Sequence, residues 1–286
     1  MRARDFILLL KNSVIAWQED NAASMGAAVA FYTVFSIAPL LIIVIAVAGF
    51  VWGEDAIRGE IIRQLNGLVG SDGAAGVQEL LKSADQPAQG ITATLMSIVF
   101  LIIGSTTVFA ELQGALDRIW RVPAATATGI WNTIRARLLS FGLVLGLAFL
   151  LLVSLVVSAL LAAFSQVTNG LLPGWEVVLQ LLNILVSVSI ATVLFAMIYK
   201  FMPRAQVAWR DVWVGAMVTA VLFELGKFLI ALYVGKSSTI SALTAAGSLV
   251  VVLIWVYYAA QVFLLGAEFT WLYAKQHGSR KDAEET

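Results

Sequence analysis

Six stretches of this chain are long and apolar enough to cross a lipid bilayer, and this pattern constrains the fold more than any other feature of the sequence. A helix needs about 20 predominantly apolar residues to cross the hydrocarbon layer. The sequence therefore predicts an all-α integral membrane protein with six transmembrane helices, built as a single membrane domain over residues 1–286. The predicted spans are approximately Gly26–Trp52, Ile91–Leu116, Leu138–Phe164, Val177–Met202, Val212–Val234 and Ile240–Tyr273.

The composition supports a membrane protein and removes several kinds of chemistry. Hydrophobic residues make up 60% of the chain and charged residues 13%, whereas soluble domains average about 45–50% and about 25%. The chain has no cysteine, which excludes disulfides, iron–sulfur clusters and thiolate chemistry. Its single histidine, His277, lies in the charged tail, so no group of imidazoles is available for zinc. We expect neither a metal nor another cofactor.

The distribution of Lys and Arg predicts how the chain is oriented in the membrane. The side that holds both termini and the second and fourth connections carries 13 of these residues, and the other side carries 4. Because cytoplasmic loops carry the excess of Lys and Arg, we expect both termini in the cytoplasm. An even number of spans requires both termini to share a side, so the two signals agree.

Two segments outside the spans have helical patterns of their own. Residues Ala3–Gln18 predict an amphipathic helix that lies on the membrane surface, with Phe6, Leu9, Leu10, Ile15 and Trp17 on its apolar side. The first extracytoplasmic loop, Gly53–Gly90, predicts two short amphipathic helices that are broken at Gly70–Gly73. This loop either covers an outward opening or only packs across the bundle.

The fifth span contains an acid and a base, Glu224 and Lys227, in an otherwise apolar run. Each charge alone costs about 2.5–3.5 kcal/mol at the centre of a lipid-facing helix, so both side chains are expected to face protein or water. Their i,i+3 spacing places them on one helical face and close enough to pair. The pair either fixes how this helix packs or lines a polar path.

Three other spans also carry polar or helix-breaking residues. Pro39 in the first span removes one backbone hydrogen bond near Ser36, which is typical of substrate-exposed breaks in transporters and also of simple kinks. The fourth and sixth spans each show a polar stripe at helical spacing. We expect these stripes and the Glu224 face to converge on a shared interior. The stripes are Gln180, Asn183 and Ser187 in the fourth span and Tyr257, Gln261 and Glu268 in the sixth.

Charged residues also gather at the predicted cytoplasmic ends of the second, fourth, fifth and sixth spans. They form either a belt of salt bridges that holds the inner ends together or the mouth of a path. The residues of this predicted inner charge belt are Glu111, Lys200, Arg204 and Arg210, with Glu268 at similar depth.

No constellation of residues indicates an enzyme. Hydrolysis needs an activated nucleophile or a metal-bound water, and the sequence offers no Ser–His–Asp, Cys–His or histidine-rich group. The glycine-containing stretch at Gly70–Gly73 lacks the lysine of a phosphate-binding loop, which argues against an ATP-driven pump. The positive charge follows the topology of the loops, so nucleic-acid binding is not expected.

Several blocks of sequence, in matching order, carry a resemblance to a known family. They are AAVAFYTVFSIAPLL at Ala27–Leu41, LDRIWRVP at Leu116–Pro123, YKFMPRAQVAWRDVWVGA at Tyr199–Ala216, LFELGKFLIALYV at Leu222–Val234 and VVLIWVYYAAQVFLLGAEF at Val251–Phe269. In these blocks the chain resembles the YihY/BrkB family of bacterial inner-membrane proteins across nearly its full length.

The resemblance implies a six-helix protein of the bacterial inner membrane, linked to serum resistance and to the movement of lipid or lipopolysaccharide precursors. Some members have carried the label ribonuclease BN, which the absence of metal ligands and acid–base groups here argues against. The motif residues that it carries over are Tyr32, Ser36, Pro39, Pro203, Trp209, Arg210, Glu224, Lys227, Trp255, Tyr257, Gly266 and Glu268.

Two hypotheses of function follow, with membrane lipids as the expected partners in both. The first is a transporter or flippase-like protein for an amphiphilic, anionic lipid-type substrate. The alternative is a non-transporting scaffold that binds lipid or protein partners. A lipid-modifying enzyme has the least support, because Glu111 and Glu268 would have to act without metal or histidine. The sequence leaves homo-oligomerisation open.

Overall fold

The computed structural model of the protein describes residues 3–84, 107–123, 175–236 and 245–281. In these ranges the chain forms α-helices joined by short turns. The predicted all-α class is therefore confirmed for these ranges. The helices are α1 (Ala3–Glu19), α2 (Ala22–Trp52), α3 (Glu54–Ala84), α4 (107–119), α5 (Trp175–Phe201), α6 (Trp209–Lys236) and α7 (Ala245–Gln276).

Four helices in the described ranges are long and apolar enough to cross a membrane. The candidate spans are Ala22–Ala46, Leu181–Phe201, Trp209–Leu229 and Leu249–Gln276. They correspond to the first, fourth, fifth and sixth predicted spans, which supports the membrane class. Only the end of the second predicted span lies in the described ranges, within α4, and the third lies outside them. The count of six spans stays a prediction.

The connection between α5 and α6 is short and makes these two helices antiparallel neighbours. Helix α5 ends at Phe201, two residues before Pro203, because proline disfavours helical backbone at the residue that precedes it. Helix α6 then begins at Trp209, where the carbonyl of Ala208 accepts from the backbone N–H groups of Asp211 and Val212. This hairpin places the outer half of α5 beside the second half of α6.

Helix α7 lies at the centre of the described bundle and packs against α1, α2, α3 and α6. Near the cytoplasmic end predicted for the bundle, the Gln261 side chain donates to the Ala23 carbonyl (3.3 Å), and a Cβ at Gly26 would overlap the same amide. The second half of α7 therefore lies against the start of α2. The two helices run antiparallel, since Val252 nearer the start of α7 shares a cluster with Val34 and Leu41 further along α2.

Helix α3 folds back along α2 instead of forming a loop beyond its end. The chain reverses at Gly53 (φ 88°), and the two halves of α3 meet at Gly70 (φ 76°), within the predicted break. The Cβ position of Gly73 lies 3.6 Å from Val251 of α7. With about 1.5 Å of rise per residue, the α2–α7 register puts this turn roughly level with the middle of α2. The buried residues that hold α3 in place are Ile45, Ile57, Val77, Leu81 and Val252.

Helix α1 exists as predicted, but much of its predicted apolar side packs on the bundle. Phe6 meets Phe269 edge to face (5.8 Å between ring centroids), and Leu9 is fully buried together with the small residues Ser13 and Ala16. Small side chains allow close approach to α7, while apolar residues on the other side of α1 stay exposed. These exposed residues are Ile7, Leu8, Val14 and Ile15.

Candidate functional site

Glu224 and Lys227 form an ion pair on α6, and a third polar residue from α5 joins them. The Lys227 Nζ lies 2.7 Å from Glu224 Oε1, and the Ser187 hydroxyl donates to the same oxygen (2.6 Å). The Lys227 ammonium also lies over the ring of Phe223 at 6.0 Å. We call Ser187, Glu224 and Lys227 the outer pair site, since the predicted topology places it in the outer half of the bundle.

The outer pair site lies at the edge of the α5–α6 packing and not in its core. The side chains of Glu224 and Lys227 keep 22% and 27% of their exposure. Behind them Phe223 packs edge to face on Trp255 of α7 (5.8 Å), and Gly226 makes room for Tyr258, whose hydroxyl donates to the Leu222 carbonyl. The site is thus half-buried, and the Glu224 carboxylate accepts from two donors, Lys227 and Ser187.

A second charged site lies at the opposite end of α7, around Glu268. This side chain has no exposed surface, and no hydrogen-bond donor reaches either of its carboxylate oxygens. The charged groups that act on it are the carboxyl of Asp20, then the guanidinium of Arg121 and the carboxyl of Glu19. Arg121 donates to Asp20 Oδ1 (2.6 Å), and Asp20 Oδ2 has no partner. We call Asp20, Arg121 and Glu268 the inner acid site.

Two tight turns place the partners of Glu268. Asp20 begins the two-residue link between α1 and α2 and is followed by Asn21, which has a left-handed backbone (φ 55°). Arg121 itself has φ 54° and follows α4, where Val122 N–H donates to the Asp117 carbonyl and Arg121 N–H to that of Arg118. This is the helix-ending arrangement that usually carries glycine. In the described residues these are the two non-glycine positions with positive φ, and both border the inner acid site.

A closely packed layer lies between the two sites and continues past Glu268 as far as Thr270 on α7. The buried Tyr199 hydroxyl donates to the Phe263 carbonyl (2.7 Å) and lies 3.0 Å from the Thr219 hydroxyl. A Cβ at Gly266 would fall 1.9 Å from Thr219 Oγ1, and one at Gly215 would fall 1.7 Å from Thr270 Oγ1. Only glycine fits at these two positions without movement. We call these residues the Tyr199 layer.

The other predicted path residues are divided between several places instead of one shared interior. Ser36 and Pro39 are buried within α2, and the Ser36 hydroxyl has no partner. Gln261 is engaged with α2, and Asn183 is exposed. Tyr32 is half-buried, Tyr257 is 37% exposed, and nothing is described for the side chain of Gln180. The polar stripe of α7 therefore faces α2 and the inner acid site. Helical spacing predicts that these residues share one face of α7, but it does not predict which helix that face packs against.

The basic residues of the predicted inner charge belt contact groups other than Glu111, which is half-buried. Lys200 donates to the Val207 carbonyl and lies over the Trp209 ring. Arg210 reaches the His277 carbonyl at 3.5 Å. Arg204 pairs with Asp117, which also accepts from the Arg204 backbone N–H (2.8 Å).

The sequence patterns did not identify three acids at this end of the bundle as site residues, because these acids lie in connections and at helix ends, outside the apolar runs. They are Asp20, Asp117 and Asp211, and Asp211 is fully buried and accepts from the Ser279 hydroxyl (2.6 Å). Burial raises the pKa of Asp117 above its ordinary value, and the bond and charge of Arg204 act against that rise. The signal that could have found these acids is their position next to helix termini.

The described side chains contain no group of three His, Cys, Asp or Glu residues arranged to hold a metal ion. At the inner acid site one of the two carboxylates, Asp20, already binds a guanidinium, which repels a second cation. Its chemistry is therefore that of proton exchange or of binding a charged organic group.

Comparison with known proteins gives a family and a set of membrane relatives. The family model described as "Virulence factor BrkB" matches residues 14–286. The UPF0761 membrane protein RSc1559 of Ralstonia nicotianae is 32% identical over 252 residues, which cover 87% of this chain and 55% of that protein. The UPF0761 membrane protein PSPA7_4558 of Pseudomonas paraeruginosa is 29% identical, over 87% of this chain and 58% of its own length.

The chain thus spans between half and three fifths of the length of these two relatives. No solved structure matches it.

Proposed function

Since the chain belongs to the BrkB virulence factor family, whose matching relatives here are membrane proteins, we propose that it transports an amphiphilic, anionic lipid-type molecule across the bilayer. In this proposal it is a flippase-like protein of the bacterial inner membrane with both termini in the cytoplasm. It acts on membrane lipids without catalysing a chemical reaction, and it needs neither cofactor nor nucleic acid.

The observation that carries this proposal is the half-buried outer pair site within a candidate span. A structural ion pair deep in a membrane protein is usually closed off by its neighbours, whereas Glu224 and Lys227 each keep about a quarter of their exposure. An anionic headgroup that approaches this edge can exchange places with Glu224 as the partner of Lys227. Ser187 then remains to hold Glu224, so neither charge is left alone in a poorly solvated place.

Helix α3 supplies a second support. Its first half carries the ion-paired Glu60 and Arg63 alongside α2, between the Gly53 reversal and the Gly70 turn. Charged residues at membrane depth are tolerated where they face protein or a water-filled cavity. A hydrated entrance next to α3 would give a lipid headgroup access from the outer side.

The test is lipid movement in liposomes that contain the purified protein. Fluorescent anionic phospholipid in one leaflet is followed by dithionite quenching, and Lys227→Met is expected to slow its movement at least tenfold. The matched control is Lys82→Met, which removes an exposed lysine near the end of α3 and is expected to keep the wild-type rate. If Lys227→Met folds and moves every tested lipid at the wild-type rate, the proposed site is wrong.

Orientation can be tested in cells because the chain has no cysteine of its own. A single cysteine at the exposed position Gln18 is expected to react with a membrane-impermeant maleimide only after the membrane is opened. A single cysteine at the exposed Lys82, near the end of α3, is expected to react in intact spheroplasts. The opposite pattern would reverse the predicted topology.

The Tyr199 layer and α1 favour the alternative of a scaffold that binds lipid or protein without transport. The layer closes the described bundle between its two charged sites, and α1 presents exposed apolar residues flanking Lys11. A scaffold predicts lipid binding to the protein with no movement between leaflets. The liposome experiment therefore separates the two functions directly.

A further inference from the structure

We propose that Asp20 and Glu268 bind one proton between them, and that loss and uptake of this proton at the inner acid site drives the transport cycle. The site and its chemistry stand on the geometry at the cytoplasmic end of the bundle. Only the coupling to transport rests on the proposed function.

Hydrogen-bond acceptors outnumber donors in this buried place. Glu268 has four lone pairs and no donor, and Asp20 has one donor, Arg121, on one oxygen. Two facing carboxylates cannot bond to each other unless a proton lies between them. A proton held between two carboxyl groups gives a short, charge-assisted O–H···O bond and removes one of the buried negative charges.

Buried polar atoms without a hydrogen-bond partner concentrate at this site. Of the nine buried side-chain polar atoms without a partner in the described residues, three are the oxygens of Glu268 and Asp20 Oδ2. Two more are the indole nitrogens of Trp17, one turn before Asp20, and Trp120, next to Arg121. Buried polar atoms are almost always bonded in stable structures, so a cluster of exceptions marks a place with a functional reason.

The backbone is strained on both segments that bring charged groups to the site. Asn21 and Arg121 hold left-handed backbone conformations on the two chain segments that supply Asp20 and Arg121. In non-glycine residues, strain of this kind persists where the surroundings enforce it. These two turns aim an acid and a base at one buried carboxyl from segments about 100 residues apart.

The charges around the site favour a proton over a metal ion. Arg121 approaches from the end of α4 and Glu19 from α1, and these with Asp20 are the charged groups that act on Glu268. Lys275 and Arg280 stack on the neighbouring rings of Trp271 and Trp120. With a guanidinium bound to Asp20 and two more cations on these rings, a metal ion is repelled, whereas a proton shared by two carboxyl groups is not.

The site is connected mechanically to four helices. Asp20 joins α1 to α2, Arg121 follows α4, and Glu268 lies in the central helix α7. When the proton leaves, two like charges face each other in a buried place, and Arg121 alone can neutralise only one of them. The α1–α2 junction and α7 must then separate or admit water. This movement is the one that could open the cytoplasmic end toward the Tyr199 layer.

Infrared difference spectroscopy of the protein in lipid vesicles tests the proton site without using transport. The wild-type protein is expected to show a carboxylic C=O band at neutral pH that disappears when the pH is raised. Glu268→Gln and Asp20→Asn are each expected to lose the band, because the remaining acid pairs with Arg121 and ionises. The control Asp211→Asn changes another fully buried acid, one with donors from Ser279, and keeps the band.

Two variants from opposite sides of the site guard against a failure to fold, since either one is sufficient to test the band. A band that is absent from the wild type, or kept in the folded variant, overturns the proposal. A band that shifts with the concentration of Na⁺, K⁺ or Mg²⁺ at constant ionic strength indicates a cation site and also overturns it.

The coupling is tested by imposing a pH gradient on the liposomes. Wild-type lipid movement is expected to change at least fivefold with the gradient, and movement by Glu268→Gln is expected to be insensitive to it. If no lipid moves but the infrared band behaves as expected, the proton site stands and the proposed function fails. If lipid moves and its rate ignores the gradient in the wild type, the coupling fails and the proposed function stands.

Discussion

The outer pair site and the inner acid site both contain acidic and basic side chains, but they differ in how deeply the acid is buried and in how many hydrogen-bond donors it has. At the outer site a half-buried acid has both a lysine and a serine as donors. At the inner site a fully buried acid has no donor and faces a second acid. The outer site is assembled from neighbouring helices, and the inner one from segments near residues 20, 121 and 268. The difference indicates that the outer site is built to hold charge and the inner site to change it.

The most disruptive way to break this comparison is to open the layer between the two sites. Gly266→Ala places a Cβ 1.9 Å from Thr219 Oγ1, and we expect it to lower the free energy of unfolding by about 2–3 kcal/mol. Tryptophan fluorescence during denaturation measures this, since the chain has nine tryptophans. Gly114→Ala, where no atom lies within 4 Å, should be neutral or stabilising by up to about 1 kcal/mol. Equal stabilities would mean that the layer is not close-packed.

The next largest effect is expected from removing the cation of the inner acid site. Arg121→Met should cost about 2 kcal/mol of stability at neutral pH, less than a fully buried pair would because Arg121 is 49% exposed. The loss should shrink as the pH is lowered, since protonation of the pair removes the one remaining negative charge that Arg121 neutralises. Arg118→Met, an exposed neighbour at the end of α4, is the control and should stay near the wild type at every pH. A loss that does not depend on pH would contradict the inner site as a proton site.

The same change at the outer site should be milder. Lys227→Met should cost about 1 kcal/mol, because Glu224 keeps the Ser187 hydroxyl and part of its solvent exposure. Adding Ser187→Ala to it should cost more than the sum of the single changes, which a double-mutant cycle of unfolding free energies measures. Simple additivity would show that the two donors act independently on Glu224.

The smallest expected effect concerns Asp117, an acid at the inner end that is outside both sites. Its pKa is raised in the folded state by burial, so the native state holds the proton more tightly than the unfolded chain. Its contribution to stability is therefore complete below the ordinary carboxyl range and is lost as the pH rises through the folded pKa. Asp117→Asn should flatten this part of the stability profile by less than about 1 kcal/mol, because Arg204 offsets the rise. An unchanged profile would show that Asp117 does not titrate with folding.

Hydropathy and charge patterning predicted the helical class and four of the helices well, because a span must satisfy a strong local constraint of length and polarity. The i,i+3 spacing also placed Glu224 and Lys227 in contact. The partner of the pair, Ser187, belongs to a predicted polar stripe, although no rule of spacing assigned it to Glu224. Contacts between helices depend on register and rotation, which a single helix does not encode.

The inner acid site could not be assembled from the sequence for a different reason. Asp20 and Arg121 lie in connections, where charged residues are expected and attract no notice. Glu268 was found as a polar residue of a span, but its partners come from turns whose left-handed backbone is unusual for Asn and Arg. The direction of α3 was also beyond local patterns, since the reversal at Gly53 and the contact of Gly73 with Val251 are both tertiary features.

The position of α3 has a consequence for how the protein is made. The two halves of α3 pack against Val251 and Val252, which leave the ribosome about 180 residues after Gly73. At roughly 5–20 residues per second, α3 is synthesised on the order of 10–40 s before the part of α7 that it contacts. During biosynthesis α3 can already pack on α2, but the side of α3 that contacts α7 stays without its partner until the central helix completes the bundle.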